Sequence, residues 1–134
     1  MNSFSLKIVT PDGIKFEGKA EEIVVRTTTG DIGIMAGHVN CVAPLGMGEA
    51  MILTEEKKRY GACIGGMISV MNGDVSVIAT TFEWSNEIDV DRAQASETRA
   101  RDTLTDKSLG SADLKMAEAR LRRALIRKGV ATRK

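Results

Sequence analysis

The residues best equipped for chemistry are charged and lie in the last third of the chain. Glu83 and Asp89 precede Arg92, and Arg99 follows Arg92 two helical turns on, along one face. Farther along, Arg120, Arg123 and Arg127 share a face of a second helix. If the two helices fold back on each other, guanidinium groups from both converge on a phosphate chain, whose oxygens arginine engages in bidentate geometry. The plainer alternative is intrahelical ion pairing with Glu97, Asp102 or Glu118, and composition alone favours it. Downstream of Lys115 the only acid is Glu118, against Arg120, Arg122, Arg123, Arg127, Lys128, Arg133 and Lys134. This end is therefore locally basic, a pattern that a solvated helix face also produces.

Other reactive side chains carry less. His38, the only histidine, has no Ser or Cys nucleophile in a recognisable motif and no carboxylate at metal-ligand spacing. Cys41 and Cys63 stand 22 positions apart and form no CxxC pair, so they read as reduced core thiols rather than a zinc or redox site. Gly65-Gly66 lacks the Lys and the Ser or Thr of a phosphate loop and reads as a bulge or close strand contact. The segment from Gly30 to His38 reads as a loop longer than a tight turn, of the kind that meets partners.

Two kinds of element must position these residues. Up to about Ala79, short apolar alternations separated by turn residues predict strands. Met67–Met71 and Val75–Ala79 flank Asn72-Gly73, a pair that tolerates the positive φ of a tight hairpin turn. Thr10-Pro11-Asp12-Gly13 predicts a second hairpin between Leu6–Ile8 and Ile14–Phe16. Ile23–Thr27 is another strand, and Ala50–Thr54 pairs with Arg59–Ile64 across the charged turn Glu55–Lys58. Many short strands without intervening helices predict an antiparallel sandwich or barrel.

From Ile88 strand alternation stops and helix-forming residues dominate. Asp89 is the expected N-cap of a helix running to about Thr105, with Ala93, Ala100 and Leu104 on one side. Ser111 is the expected cap of a second, placing Leu114, Ala117, Leu121, Ala124 and Leu125 on one face and ending near Gly129. The short turn Asp106–Gly110 forces an antiparallel helical hairpin. Phe82–Glu87, with the only Trp, joins the halves. The division expected is a β-sandwich over residues 1–86 and a helical hairpin over residues 87–134.

Bulk composition narrows the classes. The 134 residues are 43% hydrophobic and 28% charged, which suits a folded domain with a small appendage. Aromatics at 4% leave few stacking platforms for bases, and a net charge of +1 gives no general attraction to polyanions, so nucleic-acid binding is disfavoured. No apolar run approaches the ~20 residues that cross a bilayer, and Met1–Gly18 lacks a signal core, which predicts a cytosolic compartment.

Taken in order, Ile8-Val9-Thr10-Pro11-Asp12-Gly13, Gly30 to His38, Ala43-Pro44-Leu45, Gly65-Gly66 and Glu87-Ile88-Asp89-Val90-Asp91-Arg92-Ala93 carry a resemblance over nearly the whole chain. The chain resembles the epsilon subunits of bacterial F-type ATP synthases. That resemblance implies a sandwich of about ten strands followed by a helical hairpin. It implies a non-catalytic part, without an active site of its own, that clamps the gamma subunit and the c-ring in proton-driven rotation at the cytoplasmic face of the cell membrane. The hairpin would open towards the alpha and beta subunits and inhibit ATP hydrolysis. By position, Asp31 would face the ring and His38 gamma, with Ala36 replacing the usual proline before Gly37. Glu83, Ile88, Asp89, Arg92, Ala93, Arg99, Arg123 and Arg127 match the set that binds ATP as a regulatory ligand, the acids on the adenine or ribose side and the arginines on phosphates. No metal site is implied. With Ala93, Ala100 and Leu104 as the apolar anchors of the first helix, its burial contributes only roughly 2 to 4 kcal/mol, a scale at which a ligand competes. The rivals are a free-standing nucleotide sensor and a hydrolase using Glu83 and Asp89. Copurification with gamma separates the first, and ATPase activity of the isolated subunit the second.

Overall fold

A computed structural model describes residues 2–133. Eight strands form one hydrogen-bonded sheet that folds into a sandwich: β1 (Phe4–Thr10), β2 (Gly13–Ala20), β3 (Glu22–Thr27), β4 (Gly30–Met35), β5 (Cys41–Pro44), β6 (Met47–Leu53), β7 (Lys58–Met71) and β8 (Asp74–Trp84). The order is β2-β1-β8-β7-β6-β3-β4, with β5 also paired to β7. Both expected hairpins form. Thr10 Oγ1 accepts from the Asp12 amide at 3.1 Å in the β1–β2 turn. Asn72 and Gly73 take φ 51° and 86°, as a two-residue turn matched to strand twist requires.

Two departures from the expected sheet have local causes. Among the described residues the strands number eight rather than about ten, and Arg59–Ile64 and Met67–Met71, expected as two, are one strand running through Gly65-Gly66. The β7–β8 register passes that pair without an inserted residue, Ile64 facing Thr81 and Gly66 facing Ala79. It is a close contact and not a bulge: a Cβ on Gly66, at φ +115°, would stand 1.9 Å from the Ile78 carbonyl oxygen. The sheet is also not wholly antiparallel, since β1 lies parallel to β8 from Ser5↔Asp74 to Val9↔Ile78. The Gly30–His38 loop is a second correction. Gly30–Met35 is strand β4, antiparallel to β3, and only residues 36–40 are irregular.

Inward residues of alternating strands build one core, with Leu6, Ile8, Ile23, Val25, Ile34, Ile52, Ile68, Val70 and Val77 all fully buried. Phe82 and Trp84 close it, their rings 4.9 Å apart edge to face. Cys63 is buried in this core and Cys41 half-buried against it, both as free thiols.

After a single 3-10 turn, Ser85–Glu87, come α1 (Val90–Leu104) and α2 (Ser111–Ala131). Asp89 caps α1 as expected, its Oδ1 accepting the Arg92 amide at 3.0 Å. Gly110 rather than Ser111 is the N-cap of α2, and the helix runs past Gly129 because Val130 is buried at 1% exposure. Alanines line the helix pair: Ala93 and Ala100 are buried on α1, Ala117 and Ala124 on α2. Leu104 is only half-buried, and Leu125 is 43% exposed and lies off the expected face. The helices pack mainly on each other, and α2 alone rests on β6 and β7.

Candidate functional site

The seat of α2 is set by one row across three strands. Glu49 on β6 faces Ala62 on β7, which faces Glu83 on β8, so a small apolar residue sits between two carboxylates. On the helix, Val130 packs in the cluster of Ala62 and Ile88, edged by Tyr60, Ile126 and Ala131. On either side of it, Arg127 Nε meets Glu83 Oε1 at 2.7 Å and Arg133 Nε meets Glu49 Oε2 at 3.1 Å. Each of these pairs keeps a solvent-facing side, so screening limits it to roughly 1 kcal/mol or less. The apolar part is a satellite of three buried residues, separate from the sandwich core.

Between the helices a carboxylate replaces the expected apolar contact. Glu97 lies on the buried face of α1 and receives Lys128 Nζ at 2.6 Å and Arg101 Nε at 2.9 Å. Hydrogen bonds first from Lys128, then from Arg101, hold its carboxyl below the ordinary range. The pairing expected for the arginines thus involves Arg101 and Lys128, leaving Arg92 and Arg99 exposed.

A cleft of about 530 Å³ opens where the 3-10 turn, the start of α1 and the end of α2 meet the β1–β2 hairpin. It brings together Glu83, Ile88, Asp89, Arg92, Ala93 and Arg127, six of the sequence-predicted nucleotide residues. Ile88 and Ala93 are buried beneath it, while Arg92 stands exposed at its edge without an ion pair among the described residues. Asp12, Lys15 and Glu87 also line it. Burial pushes the Glu87 carboxyl up, but the Trp84 amide and Lys15, at 2.9 Å, pull it below the ordinary range overall. Arg99 lies outside the cleft, and Arg123 lines a different pocket. An anion entering here meets Arg92 at the edge and Arg127 beside Glu83. Among the described residues no three His, Cys, Asp or Glu side chains converge as a metal site would require.

Asp31 lies within β4, and His38 just beyond its end. Asp31 is exposed and pairs with Arg26, directly opposite in register, at 3.1 Å. His38 donates Nδ1–H to the Val39 carbonyl at 2.8 Å, with Cys41 Sγ 4.0 Å from the same nitrogen.

A surface the sequence reading overlooked lies on the outer face of the sandwich. Following the registers, Pro44, Met67, Ile78, Val9 and Ile14 form one row across β5, β7, β8, β1 and β2. Ile78 is 60% exposed, Ile14 57% and Met67 42%. Val42, 60% exposed, extends it along β5. An apolar row five strands wide is more than scattered surface residues and marks a docking face. Its signal, apolar residues at both parities of β7 and β8, was present in the sequence. Reading it required the parallel β1–β8 pairing, which no local pattern shows.

Comparison with known proteins covers the whole chain. The beta-sandwich domain of the ATP synthase delta/epsilon chain matches residues 3–85, and the long alpha-helix domain of the same chain matches residues 86–131. The ATP synthase epsilon chain of Shouchella clausii is 37% identical over 134 residues, spanning 100% of this chain and 98% of that one. That of Caldicellulosiruptor saccharolyticus is 39% identical over 127 residues, spanning 95% and 92%. A chain of the Euglena gracilis mitochondrial ATP synthase shares the fold, with TM-score 0.83 at 22% identity over 95% of this chain and 80% of that one. One from the Tetrahymena thermophila mitochondrial ATP synthase central stalk and c-ring gives TM-score 0.68 at 13% identity over 96% of each chain.

Proposed function

The chain belongs to the ATP synthase epsilon chain family, and on that premise we propose that it couples the gamma subunit to the c-ring in the central stalk and restrains ATP hydrolysis through its helical hairpin. The observation that carries the coupling role is the exposed row Pro44, Met67, Ile78, Val9 and Ile14, a face with the breadth and apolar character of a permanent interface. Gamma is its proposed occupant, with His38 near gamma and Asp31 towards the ring. Residues 1–86 are the fastened unit and residues 87–134 the mobile one, working at the cytoplasmic face of the membrane in proton-driven synthesis. Met67→Glu with Ile78→Glu, both at exposed positions, tests this: the variant is expected to fold but to lose copurification with gamma. Retention of gamma by the folded variant overturns the assignment.

Regulation rests on the seat of α2. Burying Val130 and Ile88 with a small alanine contributes on the order of 4 to 6 kcal/mol before the entropy of ordering is subtracted. An opposing interaction with the alpha and beta subunits reaches that scale, which makes the hairpin a two-state element. In the open form Arg120, Arg122 and Arg123 pair with carboxylates of the catalytic head.

ATP is the proposed ligand of the cleft, with the other arginines, Arg99 and Arg123, turning in from outside it. At 100 times its dissociation constant a ligand adds about 2.7 kcal/mol to the state it binds, so ATP biases the hairpin towards its seat and relieves inhibition. Titration of the isolated subunit with ATP is expected to shift the resonances of Arg92 and Arg99. Absence of any shift at both refutes nucleotide binding while leaving the coupling role intact.

A further inference from the structure

A second pocket, on the other side of the α2 seat from the nucleotide cleft, has a sharper charge than the cleft itself. It is a shallow, open depression of about 710 Å³ between the β3–β4 turn, the β5–β6 junction and the middle of α2. Arg26, Arg122 and Arg123 line it with no carboxylate among the lining residues. The cleft, by contrast, mixes four acids, Asp12, Glu83, Glu87 and Asp89, with Lys15, Arg92 and Arg127. Arg122 and Arg123 make no ion pair among the described residues, and Arg26 meets Asp31 through Nε at 3.1 Å. Asp31 and Glu49 line an adjoining groove that shares Arg26 and Arg122 with this pocket, and they are held by Arg26 and Arg133.

The rest of the lining suits an oxyanion. Thr28 and Thr80 add hydroxyl donors that are exposed on the pocket wall. Gly65 keeps the floor open, since a Cβ there would stand 3.0 Å from Thr80 Oγ1. No aromatic side chain lines the pocket, so it offers a base nothing to stack on. Arg26 belongs to the sandwich and Arg122 and Arg123 to the hairpin, so guanidinium groups of both units line the joint, with Asp31 opposing Arg26 alone.

The geometry points to a phosphate-binding joint: an inorganic phosphate or pyrophosphate held by Arg26, Arg122 and Arg123 bridges the sandwich to α2 and fastens the hairpin on its seat. Guanidinium forks bind such oxygens in paired hydrogen bonds, and the bridge exists only while α2 is docked. Phosphate then stabilises the closed hairpin from a site that shares none of the cleft's lining residues, Arg123 being the one side chain for which it and ATP compete.

Pyrophosphate titrated onto the full-length subunit at constant ionic strength, with chloride and sulfate as controls, is the test. Saturable amide shifts are expected at Thr28, Gly30 and Thr80, together with slower amide exchange along α2. Arg122→Gln, at an exposed helix position, is expected to weaken binding roughly tenfold, and Arg26→Gln to act likewise. ATP-induced shifts at Arg92 should survive in both variants. Three results overturn the proposal: equal shifts with chloride, pyrophosphate shifts confined to Asp89 and Arg92, or undiminished binding by Arg122→Gln. The first and third leave nucleotide binding untouched, since it is read at Arg92 with ATP, and the second moves phosphate binding into the nucleotide cleft.

Discussion

Replacing Val130 with Ala removes two methyl groups from a side chain that is 1% exposed and packs with Ala62 and Ile88. At ~0.8 kcal/mol for each buried methylene-sized group, plus a small cavity term, the loss is about 2 kcal/mol. That is a large share of the seat and corresponds to a roughly 30-fold rise in the undocked population. Alanine is the better helix former by up to ~0.7 kcal/mol, so the substitution strengthens α2 as an isolated helix and any weakening must come from docking. Released helices of this length are marginal in water, so their amide exchange reports undocking. In Val130→Ala, exchange at Ala124–Val130 is expected to accelerate roughly 30-fold, while Ile68 and Val77 in the sandwich core keep their wild-type rates. Equal acceleration in sandwich and hairpin would show one cooperative body. Unchanged rates in α2 would show that Val130 does not anchor it.

Three further outcomes follow from the packing and the charges. Gly66→Ala places a Cβ 1.9 Å from the Ile78 carbonyl at φ +115°, and is expected to cost more than ~3 kcal/mol of global stability, read by denaturant unfolding; a smaller cost would mean that β7 and β8 part easily there. Burial pushes the Cys63 thiol up to about 12, so a thiol reagent at neutral pH is expected to label Cys41 and to reach Cys63 only on unfolding, by mass spectrometry of the native protein. Lys128 and Arg101 hold the folded-state pKa of Glu97 below its ordinary 4.5, so its stabilisation is full above that value and lost as pH falls through the folded pKa. An acid titration of helix-pair resonances should show this loosening, and Glu97→Gln should abolish it; a step that persists in Glu97→Gln belongs to another group.

Much of the architecture was legible because local chemistry dictates it. Asn72-Gly73 permits few structures other than a tight turn between alternating strands, and Asp89 sits where the first orphan amides of α1 need an acceptor. Gly30–Met35 was obscured because its glycines mimic a loop, although Ile32 and Ile34 alternate as strand residues do. Val130 follows a glycine that ordinarily ends a helix, and only the apolar socket of Ala62 and Ile88 carries α2 past it. The row Glu49–Ala62–Glu83 joins residues far apart in sequence, and no local pattern reveals a register. For the cleft, the grouping of Asp89, Arg92 and Ala93 follows from helical spacing, whereas the Glu83–Arg127 contact depends on how α2 lies across the sheet.

The central claim is that the hairpin must leave its seat to restrain hydrolysis, and a lock placed at that contact examines it. Glu83→Cys with Arg127→Cys places thiols on β8 and α2 where the longer native side chains meet at 2.7 Å, so a bis-methanethiosulfonate cross-linker long enough to span the shortened pair should tether α2 to β8 in the assembled complex. Hydrolysis by the cross-linked complex is expected to exceed that of the same complex after reduction. Identical rates in the two states would contradict the account.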